Sequence, residues 1–216
     1  MRRIVLKFGG TSLGNTEKIS SVAKIIQQKQ KSGVEMLVVV SAMSGVTNEL
    51  IERSKKISSD FEKAELDTLL SSGEQASSAL LAAALVKIGL KSRSWLSWQI
   101  PILTEGSFGS SRILHIETKK INEFIKLGGI PIIPGFQGVS KDFRLTTLER
   151  GGSDTSAVAV AKFFHADYCE IFTDVDGVYT TDPNINIKAK KIDKISYEEM
   201  LEMSSLGAKV MQPNSI

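Results

Sequence analysis

Cysteine, histidine and proline are scarce in this chain: one, two and five among 216 residues, with aromatics at only 6%. One cysteine cannot form an internal disulfide, which excludes a disulfide scaffold and fits a reducing compartment. Cys169 lies in the apolar run Tyr168-Cys169-Glu170-Ile171-Phe172, where a small core residue is expected rather than a reactive thiol. His115 has no acid or cysteine at a metal-like spacing, so it reads as a surface or packed residue, and no metal ligand set is expected. Basic blocks with interleaved aromatics are missing, which argues against nucleic acid as a partner. The longest apolar run, residues 79–86, is far too short to span a bilayer. The N-terminus enters a strand directly, without a signal pattern. No membrane partner is expected, and the expected location is cytoplasmic.

What remains is ordinary in bulk. Hydrophobic content of 42%, charged content of 24% and a net charge of +3 are those of a globular chain. This length allows a sizeable core. The stretch that organises the rest is Lys7-Phe8-Gly9-Gly10-Thr11-Ser12. It follows the apolar strand pattern Arg3-Ile4-Val5-Leu6 and precedes a helical pattern starting near Asn15. Strand, paired glycines, hydroxyl residues and then helix is how a backbone wraps an anion. It is neither the Walker pattern nor G-x-G-x-x-G, so its weight comes from similar loops downstream.

Residues 17–31 have helical spacing and stop at Ser32-Gly33. Residues 36–40 form a nearly continuous apolar, β-branched strand. Such a strand needs cover on both faces, which predicts a parallel sheet between helix layers. A right-handed βαβ unit follows. The second strand runs into Ser41-Ala42-Met43-Ser44-Gly45-Val46-Thr47-Asn48 and a helix over 49–57. Residues 61–87 read as helical, interrupted at Ser71-Ser72-Gly73-Glu74. There Ser72 is a candidate cap with Gln75 completing a capping box, and Glu74 a candidate cleft residue.

A strand is expected over 91–98, a loop over 101–109, and a helix over 117–127. Ile130–Pro134 reads as a strand whose prolines need few ladder bonds. It opens into Gly135-Phe136-Gln137-Gly138, with a hairpin over 140–147. Residues 148–157 (LERGGSDTSA) form another glycine loop before a helix over 157–164, with Ser153 and Asp154 of capping type. A central strand over 168–173 ends in Asp174-Val175-Asp176-Gly177-Val178-Tyr179, and a last helix spans Tyr197–Ser205.

Glycine- and hydroxyl-rich loops at one sheet edge predict a phosphate and carboxylate site. Phosphoryl transfer needs positioning and charge neutralisation. Lys7 and Lys209 would clamp the transferring phosphate, and the amides of Gly9 and Gly10 would cover it. Arg150 suits a substrate carboxylate. If the acceptor is itself a carboxylate, no general base is needed, because it is ionised at neutral pH. Asp154 would then orient Lys7.

The motifs KFGGTS, SAMSGVTN, SSGE, GFQG, RGGSDTSA, FTDVDGVYTTDP and SLGAKV, in this order, resemble the catalytic part of the aspartate kinases of the amino-acid kinase family. The resemblance covers almost the whole chain. It implies an α/β fold, a three-layer αβα sandwich around a mainly parallel sheet. It implies phosphorylation of the L-aspartate side chain by ATP with magnesium, the entry to lysine, threonine, methionine and diaminopimelate synthesis. Lys7, Gly9 and Gly10 would hold the ATP phosphates, with Thr11 and Ser12 beside them, and Phe8 and Ser12 would belong to the same nucleotide site. Thr173, Asp174, Tyr179, Asn184 and Lys209 would complete the nucleotide site. Thr47, Glu74, Phe136, Arg150, Gly151, Gly152 and Ser153 would bind aspartate, with Glu74 on its ammonium and Arg150 on a carboxylate. Lys7 and Asp154 would be the catalytic pair. A homodimer is implied by the family alone.

The sequence departs from the family pattern at three places. Glu149 replaces a glycine, putting a carboxylate near anionic substrates and a side chain where positive φ is expected. Asn184 replaces an ATP-contacting arginine. Gln212 and Asn214 stand where histidine and arginine are common. Residues 1–216 are thus expected to be one catalytic domain, shortened at its C-terminus and without regulatory ACT domains. An inactive relative, or a sibling kinase with another acceptor, is the alternative.

Overall fold

Alternation along two neighbouring strands builds the core. In one strand Ile4, Leu6 and Phe8 point to one face and Val5 to the other. In its neighbour Met36, Val38 and Val40 oppose Leu37 and Val39. A computed structural model describes every residue except 1, 150, 176, 183, 184 and 207–214. In chain order it contains β1 (Arg3–Phe8), a 3₁₀ turn (Thr11–Leu13), α1 (Thr16–Gln30), β2 (Glu35–Val40), α2 (Val46–Ile57) and α3 (Lys63–Lys87). Next come β3 (Ser92–Ser94), β4 (Ile102–Glu105), β5 (Arg112–Ile116), α4 (Lys119–Lys126), β6 (Ile130–Pro134), β7 (Gln137–Val139) and β8 (Leu145–Thr147). The chain continues through α5 (Gly152–Phe164), β9 (Tyr168–Phe172), β10 (Val178–Tyr179), β11 (Lys191–Ile192) and α6 (Tyr197–Ser205).

The main sheet has the order β3-β6-β2-β1-β9 and its pairs are all parallel. One face packs on α1 and α3 through Ile19, Val22, Ile26, Leu81 and Leu85. The other packs on α4 and α5 through Ile121, Ile125, Ala157, Val160 and Phe164. This is the expected αβα sandwich. A second sheet, β5-β4-β7-β8, and the pair β10-β11 lie outside the sandwich pattern.

Several expectations change. The helix over 61–87 is unbroken. The hydroxyls of Ser71, Ser72, Ser77 and Ser78 donate back to carbonyls three or four residues earlier, so Ser72 caps nothing. Gly73 is a site of close approach. A Cβ there would lie 2.9 Å from Ala42 Cβ and 3.3 Å from Val46 Cγ1. In an open helix Gly→Ala gains about 1 kcal/mol. Here Gly73→Ala is expected to cost about 1–3 kcal/mol through overpacking, seen as a lower thermal midpoint by circular dichroism.

Residues 101–109 were expected as loop, yet β4 forms there because Ile102 and Thr104 bury one face. The strand over 91–98 stops at Ser94, where Trp95 turns into the core against Phe124. β9 lies at the edge of the described sheet rather than at its centre, and its residues are only half-buried. β6 is interior, but its prolines fall where a ladder is missing. Pro131 precedes the β2 pairing, which starts at Ile132, and Pro134 follows the last pair with β3. α3 is by length and composition apolar enough to cross a membrane, but half of that window is buried inside the fold. A core helix has that burial.

Candidate functional site

The carboxyl ends of β1, β2 and β6 open onto a cleft of about 580 Å³. Its wall gathers Lys7, Thr47, Glu74, Phe136, Gly151, Gly152, Ser153 and Asp154, all expected as site residues. They come from distant parts of the chain. Lys7 lies inside β1, paired with Val39 and Ile171. Thr47 sits in the first turn of α2, and Glu74 in the middle of α3. The helix of residues 157–164 begins earlier than expected, so Ser153 and Asp154 fall inside the first turn of α5. Gly151 is its N-cap, at φ 82°, and no side chain caps it. Neither Ser153 nor Asp154 is spent on capping, contrary to expectation.

Lys7 is 7% exposed and its Nζ lies 2.5 Å from Asp154 Oδ1. The expected orienting role of Asp154 has this contact as its geometric basis. In the same cleft, Glu74 is 4% exposed and its Oε2 has no hydrogen-bond partner among the described residues. Burial pushes its carboxyl up to about 7, while the backbone N–H of Ala42 works in the opposite direction. A buried, unsatisfied acid at a cleft wall is costly unless something cationic meets it there. The cleft wall therefore carries both a neutralised cation and a buried acid with one oxygen unsatisfied among the described residues.

The glycine loop after β1 is shaped by its neighbours. A Cβ on Gly10 would lie 2.8 Å from Ala42 O, and Ser44 N–H donates to Gly10 O at 3.1 Å. Gly9 N–H donates to Phe172 O at 3.1 Å, so this amide is committed to β9 and does not cover an anion as expected. The amide of Gly10 has no hydrogen-bond partner among the described residues. Phe8 is also a correction: its side chain is 1% exposed and stacks on Phe172, centroids 4.5 Å apart. It packs the core instead of touching a nucleotide.

Ser12 is half-buried in the 3₁₀ turn. Thr173 and Asp174 follow β9 and are exposed, the threonine hydroxyl donating to Asp174 Oδ1 at 3.2 Å. Tyr179 lies in β10. Thr173 and Asp174 thus follow the strand that neighbours β1, and none of these three residues lines the cleft. Arg150, Asn184 and Lys209 lie outside the described residues, as do Gln212 and Asn214. Glu149 does not have the positive φ expected of it; among the described residues of that loop the left-handed one is Gly151. Phe136 does take φ 67°, held by its N–H donating to Ser156 Oγ and its carbonyl accepting from Leu148 N–H.

Sequence reasoning missed Asp67, Gly109, Thr147 and Leu148, which also line the cleft. For Asp67 a signal existed. It lies seven residues before Glu74, two helical turns away on the same face, amid Leu66 and Leu70. Cys169 packs beside the α5 cluster, and burial, with help from the Asp154 and Glu170 carboxylates, pushes its thiol up to about 11. That agrees with a packing residue rather than a reactive one. His115 is exposed and edge-on to Phe163.

A profile of the amino acid kinase family matches residues 2–216. The aspartate kinase Ask_LysC of Stutzerimonas stutzeri is 50% identical over all of this chain, which covers 52% of that protein. The crystal structure of aspartate kinase from Synechocystis superposes with a TM-score of 0.85 at 43% identity, over 98% of this chain and 35% of that one. The structure of E. coli aspartokinase III in complex with aspartate and ADP gives 0.86 at 27% identity, over 99% and 58%. The chain thus spans about half the length of the curated relatives it matches.

Proposed function

Because the chain belongs to the amino acid kinase family, we propose that its protein transfers the γ-phosphoryl group of ATP to the side-chain carboxylate of L-aspartate. The product is 4-phospho-L-aspartate, which would supply lysine, threonine, methionine and diaminopimelate synthesis. The observation that carries this reading is the cleft lined both by the buried Glu74, whose Oε2 is unsatisfied among the described residues, and by the Lys7–Asp154 pair. An amino acid whose ammonium meets Glu74 can present its far carboxylate toward Lys7. The aspartate and ADP bound by E. coli aspartokinase III support the same pairing of substrates.

In this mechanism Lys7 neutralises charge developing on the transferring phosphoryl group. Asp154 holds the ammonium in place and takes no proton, since the acceptor carboxylate is already ionised at neutral pH. Thr47, Phe136 and the Gly151-Gly152-Ser153 turn, with Arg150, would hold aspartate. Gly10, Ser12, Thr173, Asp174, Tyr179, Asn184 and Lys209 would meet ATP. Among the described residues no group of three or more His, Cys, Asp or Glu could hold a metal. Magnesium suits such a site, because it is commonly held by substrate phosphates with one or two carboxylates; it would supply further charge neutralisation. Residues 1–216 would be the catalytic part of a longer cytoplasmic protein acting as a homodimer, a view resting on kinship alone.

The test is hydroxylamine trapping of an acyl phosphate made by the full-length protein with ATP, magnesium and L-aspartate. Aspartate-dependent hydroxamate is expected. ATP turnover with another acceptor and none with aspartate would overturn the substrate. Turnover that appears only in Asn184→Arg would show a nucleotide site that has lost its arginine's function.

A further inference from the structure

Helix α3 carries a second buried acid on the face that holds Glu74, and the two differ in one respect. Glu74 Oε2 is unsatisfied, whereas Asp67, 1% exposed, is fully engaged. Its Oδ2 accepts from Thr147 N–H at 2.7 Å and from Gly109 N–H at 3.0 Å, and its Oδ1 accepts from Thr147 Oγ1 at 2.6 Å. Thr147 O in turn accepts from Ser111 N–H at 3.0 Å. One carboxylate therefore joins α3, the β4–β5 turn and the end of β8.

The consequence for the cleft follows along the chain. Thr147 is followed by Leu148, whose N–H donates to Phe136 O. Leu148 also packs so closely on α5 that a Cβ at Gly152 would fall 2.7 Å from its own Cβ. Moving Thr147 therefore moves Leu148, Phe136 and the first turn of α5. Glu74 and the Ser153-Asp154 turn belong to different elements, and the Asp67–Thr147 bonds tie the helix of one to the strand leading into the other.

We infer that Asp67 is a positioning residue that sets the spacing between Glu74 and the first turn of α5, and so the fit of the acceptor substrate. The kinetic part rests on the proposed function; the structural part does not. Asp67 touches no reacting atom in this scheme. Its loss acts on acceptor binding and leaves the β9 side of β1, where ATP is proposed, in place.

The test substitutes Asp67→Asn in the full-length protein. The carboxylate charge is then lost, and the amide, whose oxygen keeps the Thr147 and Gly109 N–H groups, turns its NH₂ toward Thr147 Oγ1, which has to accept instead of donate. The expected result is a KM for the acceptor raised about tenfold to a hundredfold, the scale of a charged hydrogen bond, with the KM for ATP unchanged. Hydrogen exchange should accelerate in peptides covering 104–112 and 145–154 and stay constant in β1 and β2. Thr147→Ser, which keeps the hydroxyl and the N–H, should keep the exchange rates of the natural chain in both peptides. Thr147→Val should show a smaller rise of the same sign, and it carries the test if Asp67→Asn does not fold. Equal rises in both KM values, or unchanged exchange in both peptides, overturn the inference. Should the natural protein not phosphorylate aspartate, the proposed function fails, and the exchange measurement alone decides whether Asp67 holds the junction.

Discussion

Lys7→Ala is expected to lower kcat for aspartate phosphorylation by about a thousandfold, the scale of removing one preorganised charge from a developing oxyanion. The same change leaves Asp154 without its cation in a largely buried setting; the two side chains are 9% and 16% exposed. Breaking such a pair from one side costs about 3–5 kcal/mol of stability, so the thermal midpoint should fall as well. The double change Lys7→Ala with Asp154→Asn separates the two effects. It removes the stranded carboxylate and should recover much of the midpoint while kcat stays low. Hydroxamate formation by Lys7→Ala within tenfold of the natural rate would show that Lys7 is structural.

Glu74→Gln is expected to stabilise the protein at pH 8 and to weaken acceptor binding at the same pH by about a hundredfold, as for a buried charge pair deprived of one partner. The sign follows from linkage. Burial raises the Glu74 carboxyl from 4.5 to about 7 in the folded chain. Between those values the folded state holds a proton that the unfolded state has released. Stability of the natural chain therefore falls as pH rises from about 4.5 to about 7 and is level above. The shift corresponds to about 3 kcal/mol at most. Urea denaturation at pH 8 should favour the glutamine variant by up to that amount, and the difference should vanish near pH 4. In the natural enzyme, kcat/KM for aspartate should fall about tenfold per pH unit below about 7, since that ratio reports the free enzyme's ionisations. A flat profile between pH 5.5 and 8, or a glutamine variant with natural acceptor KM, would remove Glu74 from the site.

The local signals read well where the physics is local. A strand-turn-helix pattern announces itself through a run of β-branched residues followed by glycines and hydroxyls. For that reason β1, β2, α1 and α6 fall near their expected bounds, and Lys7, Glu74 and Asp154 stand out locally, whereas Thr47 and residues 151–153 come from the family resemblance. The failures have the opposite character. Ser71-Ser72-Gly73 looks like a break because serine and glycine favour caps and turns in isolation. Tertiary burial against Ala42 and Val46 overrides that preference and leaves one continuous helix. Asp67 is missed because its partners, Gly109 and Thr147, lie 42 and 80 residues away.

The sequence by itself determined the sandwich, the loops at its open edge and the family, because each of these is written in short-range periodicity and motif order. Only the tertiary structure decided which of those loop residues share a cleft. It committed the Gly9 amide to Phe172 and the Phe8 ring to the core, and it engaged Asp67 fully while leaving Glu74 Oε2 unsatisfied among the described residues. The physical reason is that hydrogen-bond satisfaction and desolvation are properties of a three-dimensional neighbourhood. Two acids on one helix face, two turns apart, have opposite roles according to what the rest of the chain brings against them.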